Sequence, residues 1–374
     1  MITRLLVASL GLVVSLGLVV ALGLVVPSLA SAHRGSAKYI AVERTEAGAT
    51  VEVELEVVDA AMELELGEEA PVEAVLAQGE ALSALLARGI QVVGAGGACT
   101  PTASPPEEVE GEDDPQRLAV TIGYACPAPV RDLVLRDDTI FPTDPQHEAF
   151  VRIRFGAEDQ DAHVLRPGRQ ELALGEPSSV PALLGRFLWE GALHLFTGYD
   201  HLLFLVSLVL TAGGLARRRG MKVALRDVAW VVTAFTVGHS VTLVAAALGV
   251  IVLPARLVES TIAASIAFVA LLNLWRPEER REMPWLALGF GLVHGLGFSG
   301  VLAELGLPAR ARVLSLFSFN VGIELAQLAF VAVLVPPLAW LAGKPGYRTW
   351  IVRGGSIAIA LLSLVWLVER LTAP

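Results

Sequence analysis

The sequence predicts an α-helical polytopic membrane bundle of about six spans, preceded by a small exported domain that is mainly β and sandwich-like. Two observations support this fold class. The chain is strongly apolar, with 54% hydrophobic residues and a mean hydropathy of +0.61, which exceeds what an ordinary soluble protein carries. Its charge is also divided, because residues 33–178 contain 28 Asp and Glu against 11 Lys and Arg, whereas residues 179–374 contain 10 against 16. Such asymmetry indicates that the two halves lie in different environments.

Residues 1–32 have the pattern of a secretory signal peptide. Arg4 precedes an apolar run from Leu5 to Val26, and Ala30 and Ala32 supply the small residues of an A-x-A cleavage site. The apolar run is longer than a usual signal core, so an uncleaved anchor is the alternative. Both interpretations export the chain from residue 33 onward.

Residues 33–178 are predicted to form a small antiparallel β-sandwich. Apolar and acidic residues alternate over residues 51–57, which is typical of a strand with one buried and one wet face. An oxidising compartment favours a disulfide between Cys99 and Cys126, and two free thiols are the alternative. We expect further strands at 117–124, 133–135, 149–155 and 170–174, a helix at 71–88, and an exposed loop at 101–115.

Residues 179–374 are predicted to contain six membrane spans. Lys and Arg set their orientation, because the loops after the first, third and fifth spans contain 11 of these residues and the opposite side contains 4. The basic loops are therefore predicted to be cytoplasmic, in a bacterial cytoplasmic (inner) membrane, with the N-terminal domain and the C-terminus on the exported side. We place the spans at about 187–213, 225–250, 257–275, 284–305, 312–336 and 350–370.

Ionisable and amide side chains lie inside these apolar stretches, where a charge costs ~2.5–3.5 kcal/mol on insertion scales. His239 and His294, each taken alone, are explained by polar contacts between packed helices. The number of such polar side chains and their imidazole and carboxylate chemistry instead favour one shared metal site. Thr197 and Gly198 are expected to interrupt the first span there. The predicted metal ligands are His194, Asp200, His201, His239, His294 and Glu324, with Asn320 and Glu259 peripheral.

His33 is a further candidate metal ligand, outside the apolar stretches. Signal cleavage would make it the N-terminal residue, and its free amine and imidazole could then chelate copper or nickel. An incidental histidine after a signal peptide is the simpler interpretation.

Several motifs resemble the HupE/UreJ family of membrane proteins, in the branch with an exported N-terminal domain. H-x-x-x-G-x-D-H spans residues 194–201, and the segments F-T-x-G-H-S, V-E-S, H-G-x-G-F and F-N-x-G-x-E-x-x-Q follow it. The resemblance covers about residues 185–370. It implies a secondary permease for nickel or a related metal, with metalloenzyme maturation proteins for hydrogenase or urease as associated partners. Imidazole and carboxylate ligands also suit cobalt, copper and zinc.

Three functions are compatible with these features. The first is a secondary transporter or acquisition protein for a divalent transition metal, acting without ATP since the chain has no P-loop. The second is a membrane-embedded metal-dependent hydrolase in which Glu324 acts as base. The third is a metal-sensing or assembly factor. Polar residues that continue beyond the site toward the cytoplasm would favour transport. No basic patch interleaved with aromatic residues indicates nucleic-acid binding.

Overall fold

The computed structural model of the chain describes residues 36–109, 116–145, 147–154, 160–175, 179–251, 253–275, 282–297 and 309–372. The described residues up to Val180 form one compact unit, here called the N-terminal unit. Those within 181–297 and 313–372 form a second, the helical unit. The predicted signal peptide, His33 and residues 110–115 of the predicted loop lie outside the described residues.

The described part of the N-terminal unit is built mainly from short strands. They are β1 (Ala37–Thr45), β2 (Gly48–Glu56), β3 (Ile90–Gly94), β4 (Gly97–Ala98), β5 (Thr100–Ala103), β6 (Glu107–Glu108), β7 (Arg117–Ala125), β8 (Val134–Asp137), β9 (Glu148–Arg154), β10 (Gln160–Leu165) and β11 (Glu171–Ala173). Three helices separate β2 from β3, and they are α1 (Val57–Glu63), α2 (Val72–Ala77) and α3 (Gly79–Gly89).

Two sheets enclose one hydrophobic core in this unit. The larger sheet has the strand order β10-β9-β1-β2-β7-β5, with β6 also paired to β7, and the smaller has the order β11-β8-β3-β4. Val51, Val53 and Leu55 of β2 are fully buried and share a core with Val92 of β3 and Leu135 of β8. The inward side of the alternating pattern therefore forms the core, which confirms the predicted sandwich-like fold.

The expectation of a purely antiparallel domain is wrong for one strand pair. β1 runs parallel to β9, with Ile40 opposite Val151. The sequence pattern does not reveal β1, because Lys38 takes an inward position in line with Ile40 and Val42. The Lys38 ammonium lies 2.8 Å from a carboxylate oxygen of Asp137, and burial lowers the pKa of Lys38 from its ordinary value. A buried lysine at an inward position interrupts the alternation of apolar and polar residues from which a strand is predicted.

The segment predicted as an exposed loop, 101–115, is partly strand. β5 and β6 both pair with β7 in antiparallel register, so the interpretation of the whole segment as loop is wrong. Cys99 precedes β5 and Cys126 follows β7, and their sulfur atoms are bonded at 2.00 Å. The predicted disulfide is therefore confirmed, and it joins the ends of two paired strands.

The regular elements in the described part of the helical unit are all helices. They are α4 (Val180–Thr197), α5 (Tyr199–Val209), α6 (Ala212–Arg219), α7 (Met221–Ala247), α8 (Ala255–Trp275), α9 (Met283–His294), α10 (Ala309–Leu341), a π-helical segment (Tyr347–Gly354) and α11 (Gly355–Thr372). Five segments of the described chain are long and apolar enough to cross a membrane, namely Tyr199–Arg219, Met221–Ala247, Arg256–Trp275, Arg312–Leu341 and Tyr347–Thr372. With the shorter apolar helix α9, this agrees with about six predicted spans.

The predicted first span, 187–213, is divided into two helices. α4 ends at Thr197, Gly198 has an extended backbone (φ −77°, ψ 93°), and α5 begins at Tyr199. The predicted interruption at Thr197 and Gly198 is therefore present, and the segment with the character of a span begins only after it, at Tyr199. A non-helical residue at this depth is tolerated where it lies against protein rather than lipid.

Glycines bring the helices of this unit close together. A Cβ atom on Gly291 of α9 would lie 2.1 Å from the Phe235 carbonyl oxygen of α7, and one on Gly238 of α7 would lie 2.2 Å from the Leu288 carbonyl oxygen of α9. A Cβ on Gly191 of α4 would similarly lie 1.9 Å from a carbonyl oxygen of α10. Only glycine permits such backbone approach, which is how membrane helices pack closely.

Candidate metal site in the helical unit

The break between α4 and α5 brings two histidines together. His194 lies in the last turn of α4 and His201 in the first turn of α5, and their ring centroids are 4.8 Å apart. The Gly198 amide donates to the His194 carbonyl at 2.8 Å and so closes α4. A Cβ on Gly198 would lie 3.0 Å from Nδ1 of His201 and 3.3 Å from Oδ1 of Asp200, so a larger residue would crowd both side chains.

Two further helices add their histidines to this pair. His239 of α7 and His294 of α9 have ring centroids 5.7 Å and 5.2 Å from that of His201. His239 also lies 6.4 Å from His194. Four helices thus each contribute an imidazole, and the ring of His201 contacts the other three. His201, His239 and His294 are 6%, 0% and 1% exposed, so this group lies within the packed helices.

Asp200 is the carboxylate of the group. Its Oδ1 lies 3.0 Å from Nδ1 of His201 and accepts the His201 backbone amide at 2.8 Å. Asp200, His201 and His294 each offer one possible ligand atom, and these three atoms lie within 4.8 Å of one another. That spacing suits one metal ion held between an imidazole pair and a carboxylate.

Several ring nitrogens of this group are buried away from any polar partner that the structure describes. Nε2 of His201, both ring nitrogens of His239 and Nδ1 of His294 are buried and have no hydrogen-bond partner among the described residues. A buried polar atom left in this state costs about 1–3 kcal/mol. A neutral imidazole presents one lone pair, which is the form that ligates a transition metal. The donor set therefore fits a bound metal ion.

Hydrogen bonds orient two of the rings. His201 directs Nδ1 to Asp200, and Ser265 of α8 lies 3.0 Å from Nε2 of His294. The other nitrogen of each ring, Nε2 of His201 and Nδ1 of His294, then carries the lone pair that a metal ion could use. This is the usual arrangement of metal-binding histidines, whose second nitrogen is bonded to a carboxylate or to another polar group.

Aromatic rings form the apolar wall of the site. The ring centroids of Phe204 and Phe235 both lie 5.1 Å from that of His294, and Phe235 lies 6.1 Å from His239. Phe319 of α10 lies 5.3 Å from His194. Such a wall excludes water and strengthens electrostatic interactions inside it.

The other three predicted residues make different contacts. Glu324 accepts a hydrogen bond from Thr233 of α7, and the Asn320 amide donates to the Leu316 carbonyl of its own helix at 2.8 Å. Glu259 of α8 lies 3.5 Å from the Arg370 guanidinium of α11. The structure thus brings together the five residues His194, Asp200, His201, His239 and His294, and the membership of Glu324 stays a prediction.

Three residues that contact the predicted site residues were not predicted from the sequence, namely Ser265, Thr233 and Arg370. Ser265 and Thr233 lie within helices, where serine and threonine hydroxyls commonly bond to the backbone of the same helix. The local sequence pattern therefore does not indicate that either one is the partner of a distant side chain. Arg370 falls at the end of the last span, where a basic residue needs no special explanation. A periodicity argument does not recover contacts of this kind.

The fold and the buried imidazole group together define a polytopic membrane protein whose polar centre has the chemistry of a metal site. The chain belongs to the HupE/UreJ family, because the family described as HupE / UreJ protein matches residues 170–370, more than half of its length. This confirms the resemblance carried by the motifs, and it makes the chain a membrane protein of a family linked to metal-ion handling. No curated protein matches the chain.

Proposed function

We propose that this protein is a secondary permease, or an acquisition protein, for a divalent transition metal. The observation that carries the proposal is the imidazole group, in which buried ring nitrogens of His201, His239 and His294 have no hydrogen-bond partner among the described residues. The family favours nickel as the substrate. Cobalt, copper and zinc accept the same ligands, so the ion is a matter for competition experiments.

The ligands follow from the hydrogen bonds around the rings. His201 binds through Nε2 and His294 through Nδ1, because Asp200 and Ser265 engage the opposite nitrogens. His239 contributes either ring nitrogen, and His194 completes an imidazole-rich shell. Asp200 orients His201 and supplies negative charge to a site that receives a divalent cation.

Polar side chains that continue past the histidines support transport over hydrolysis. Thr233 and Thr236 of α7 contact Glu324 and Gln327 of α10, on the side of the histidines that leads to the basic residues at 217–226, where α6 ends and α7 begins. A hydrolase open to one side needs no such continuation. A permeating ion does need polar groups along its route.

The wider arrangement is part of the same proposal. Positive charge on the loops places them in the cytoplasm, with the N-terminal unit exported from a bacterial cytoplasmic membrane. The net charge of −17 over residues 33–178 then raises the local concentration of cations near the exported side. Ions that cross are delivered to metalloenzyme maturation proteins.

The test compares metal binding and uptake in two matched variants. Wild-type protein, His201→Ala and His163→Ala are purified, titrated with Ni²⁺ by calorimetry and reconstituted for uptake of radioactive nickel. His163 is the control because it also pairs with an aspartate, Asp161 at 3.2 Å, but lies in the N-terminal unit. We expect His201→Ala to lose binding and uptake, and His163→Ala to keep both.

Two results would contradict the proposal. Unchanged nickel binding in His201→Ala would show that nickel does not bind at the imidazole group. Nickel binding by the wild-type protein without accumulation inside vesicles would favour the metal-dependent hydrolase or the metal-sensing factor. Competition by Co²⁺, Zn²⁺ and Cu²⁺ in the same vesicles identifies the preferred ion.

A further inference from the structure

A second polar layer lies between α7 and α10. Thr233 donates a hydrogen bond to Oε1 of Glu324, and Thr236 donates to Oε1 of Gln327 at 2.8 Å. Thr233 and Thr236 are three residues apart on α7, and Glu324 and Gln327 are three residues apart on α10. Each of these two pairs therefore lies on one face of its helix. Thr236 and Gln327 are buried, and Oε2 of Glu324 is buried with no hydrogen-bond partner among the described residues. We call these four side chains the oxygen layer.

The oxygen layer is displaced from the imidazoles along both helices. Thr233 precedes His239 by six residues, which is about 9 Å along α7. Glu324 follows Phe319, whose ring contacts His194, by five residues, or about 7.5 Å along α10. Both displacements lead toward the same basic end, because α7 begins next to Arg219 and a Cβ on Gly343, just after α10, would lie 3.3 Å from Arg217.

The two sites differ in ligand chemistry. The imidazole group offers nitrogen, which suits transition metals, whereas the layer offers only carboxylate, amide and hydroxyl oxygen, which suits hard cations. A single carboxylate supplies one negative charge, and one charge in an apolar setting is balanced by a monovalent cation. Thr236 also lies 3.3 Å from the Val232 carbonyl, so it can donate there and turn a lone pair toward a bound ion.

We propose that the oxygen layer is a Na⁺ site in which Glu324 and Gln327 are the principal ligands. Its occupation neutralises Glu324 within the bundle. The coupling role of this ion rests on the proposed transport function, in which Na⁺ moving down its gradient drives the divalent metal. The site itself rests only on the contacts of α7 with α10.

The experiment measures Na⁺ binding by the purified full-length protein without any transition metal. Thermal unfolding is followed in NaCl and in KCl of equal ionic strength. We expect a saturable rise of the unfolding temperature that is specific to Na⁺ in wild-type protein and in His201→Ala. In Glu324→Gln the apparent Na⁺ affinity should fall at least about tenfold. Thr233→Val removes the hydroxyl that contacts the Glu324 carboxylate, and it should also weaken Na⁺ binding. This variant replaces Glu324→Gln in the test if Glu324→Gln does not fold.

Ser240→Ala is the matched control, because Ser240 lies on α7 and its hydroxyl bonds only to the Thr236 carbonyl of the same helix in the described contacts. It should keep the full Na⁺ response. Equal responses to NaCl and KCl in wild-type protein would overturn the proposal, and so would a Na⁺ response that survives in Glu324→Gln.

Nickel titrations on the same samples separate the two proposals. Loss of nickel binding in Glu324→Gln, together with no Na⁺ effect, would return Glu324 to the metal ligands and overturn the sodium site alone. A Na⁺ response that needs Glu324, in a protein that binds no nickel, would instead overturn the proposed transport of metal.

Discussion

Two hydrogen bonds decide which nitrogen each central imidazole offers. Asp200 engages Nδ1 of His201, and Ser265 engages Nε2 of His294. In a neutral ring, the nitrogen that carries hydrogen cannot ligate a metal, so the partner of one nitrogen determines the function of the other. Ser265 is therefore a positioning residue whose effect is exerted through His294.

We predict that Ser265→Ala weakens nickel binding about 10- to 100-fold, the usual effect of removing a partner of a metal-binding histidine. The His294 ring would lose its fixed orientation while all the ligands remain present. Calorimetric titration gives the affinity, and the unfolding temperature reports whether the fold is intact. Ser265→Thr keeps a hydroxyl and should restore much of the affinity. An unchanged affinity in Ser265→Ala would show that the ring is held by packing alone.

The residue scale also shows where prediction from sequence reaches its limit. His194, Asp200 and His201 are recognisable because they are polar within eight consecutive residues of an otherwise apolar stretch. Ser265 and His294 are 29 residues apart and on different helices, so their contact depends on how α8 packs against α9. Local patterns identify unusual residues, whereas tertiary packing determines their partners.

At the scale of elements, glycines set the distance between α7 and α9. Gly238, Gly291 and Gly295 each lie against a carbonyl oxygen of the facing helix, at 2.1–2.2 Å from where a Cβ would be. His239 and His294 project from these same two helices. The separation of the two rings therefore depends on the absence of side chains at those glycines.

We predict that Gly291→Ala separates α9 from α7 and weakens metal binding together with stability, by about 1–3 kcal/mol as for other overpacked sites. Gly289→Ala is the matched control on the same helix, because a Cβ there meets nothing within 4 Å. It should preserve both properties. Thermal unfolding and nickel titration of the two variants test the prediction, and equal behaviour would mean that α9 shifts without cost.

Elements were predictable where composition or period alone defines them. Long apolar stretches identified the membrane helices, alternation identified β2, and short runs of strand-forming residues identified β7 and β9. β1 escaped because buried Lys38 hides its period, and its parallel pairing with β9 joins segments about a hundred residues apart. Such pairing depends on the whole sheet and leaves no trace in either strand alone.

At the scale of the whole molecule, the division of charge predicts a sided arrangement in the membrane. The N-terminal unit is acidic and carries a disulfide, and the basic residues of the helical unit concentrate in the loops after alternate spans. We predict that Glu73→Cys, at an exposed position of α2, reacts with an impermeant maleimide in intact cells. Arg218→Cys, in the exposed last turn of α6, should react only after permeabilisation.

The native disulfide removes background labelling from this assay, because bonded cysteines do not react with maleimide. The engineered cysteine then supplies the thiol that is labelled. Protection of Glu73→Cys in intact cells, with labelling of Arg218→Cys, would reverse the assigned orientation. Labelling of the wild-type protein without reductant would mean that the disulfide does not form in the cell.

The imidazole group also imposes an order in time on the making of the protein. Its first members lie at residues 194–201 and its last at residue 294, so about ninety residues must be synthesised between them. At ribosomal rates of ~5–20 residues per second, roughly 5–20 s pass between the synthesis of α5 and the synthesis of His294 in α9. During that interval Asp200 and His201 must be kept from lipid by water, by the translocation machinery or by each other. The hydrogen bond between these adjacent residues needs no later helix, so it can form at once, and so can the contact between the rings of His194 and His201.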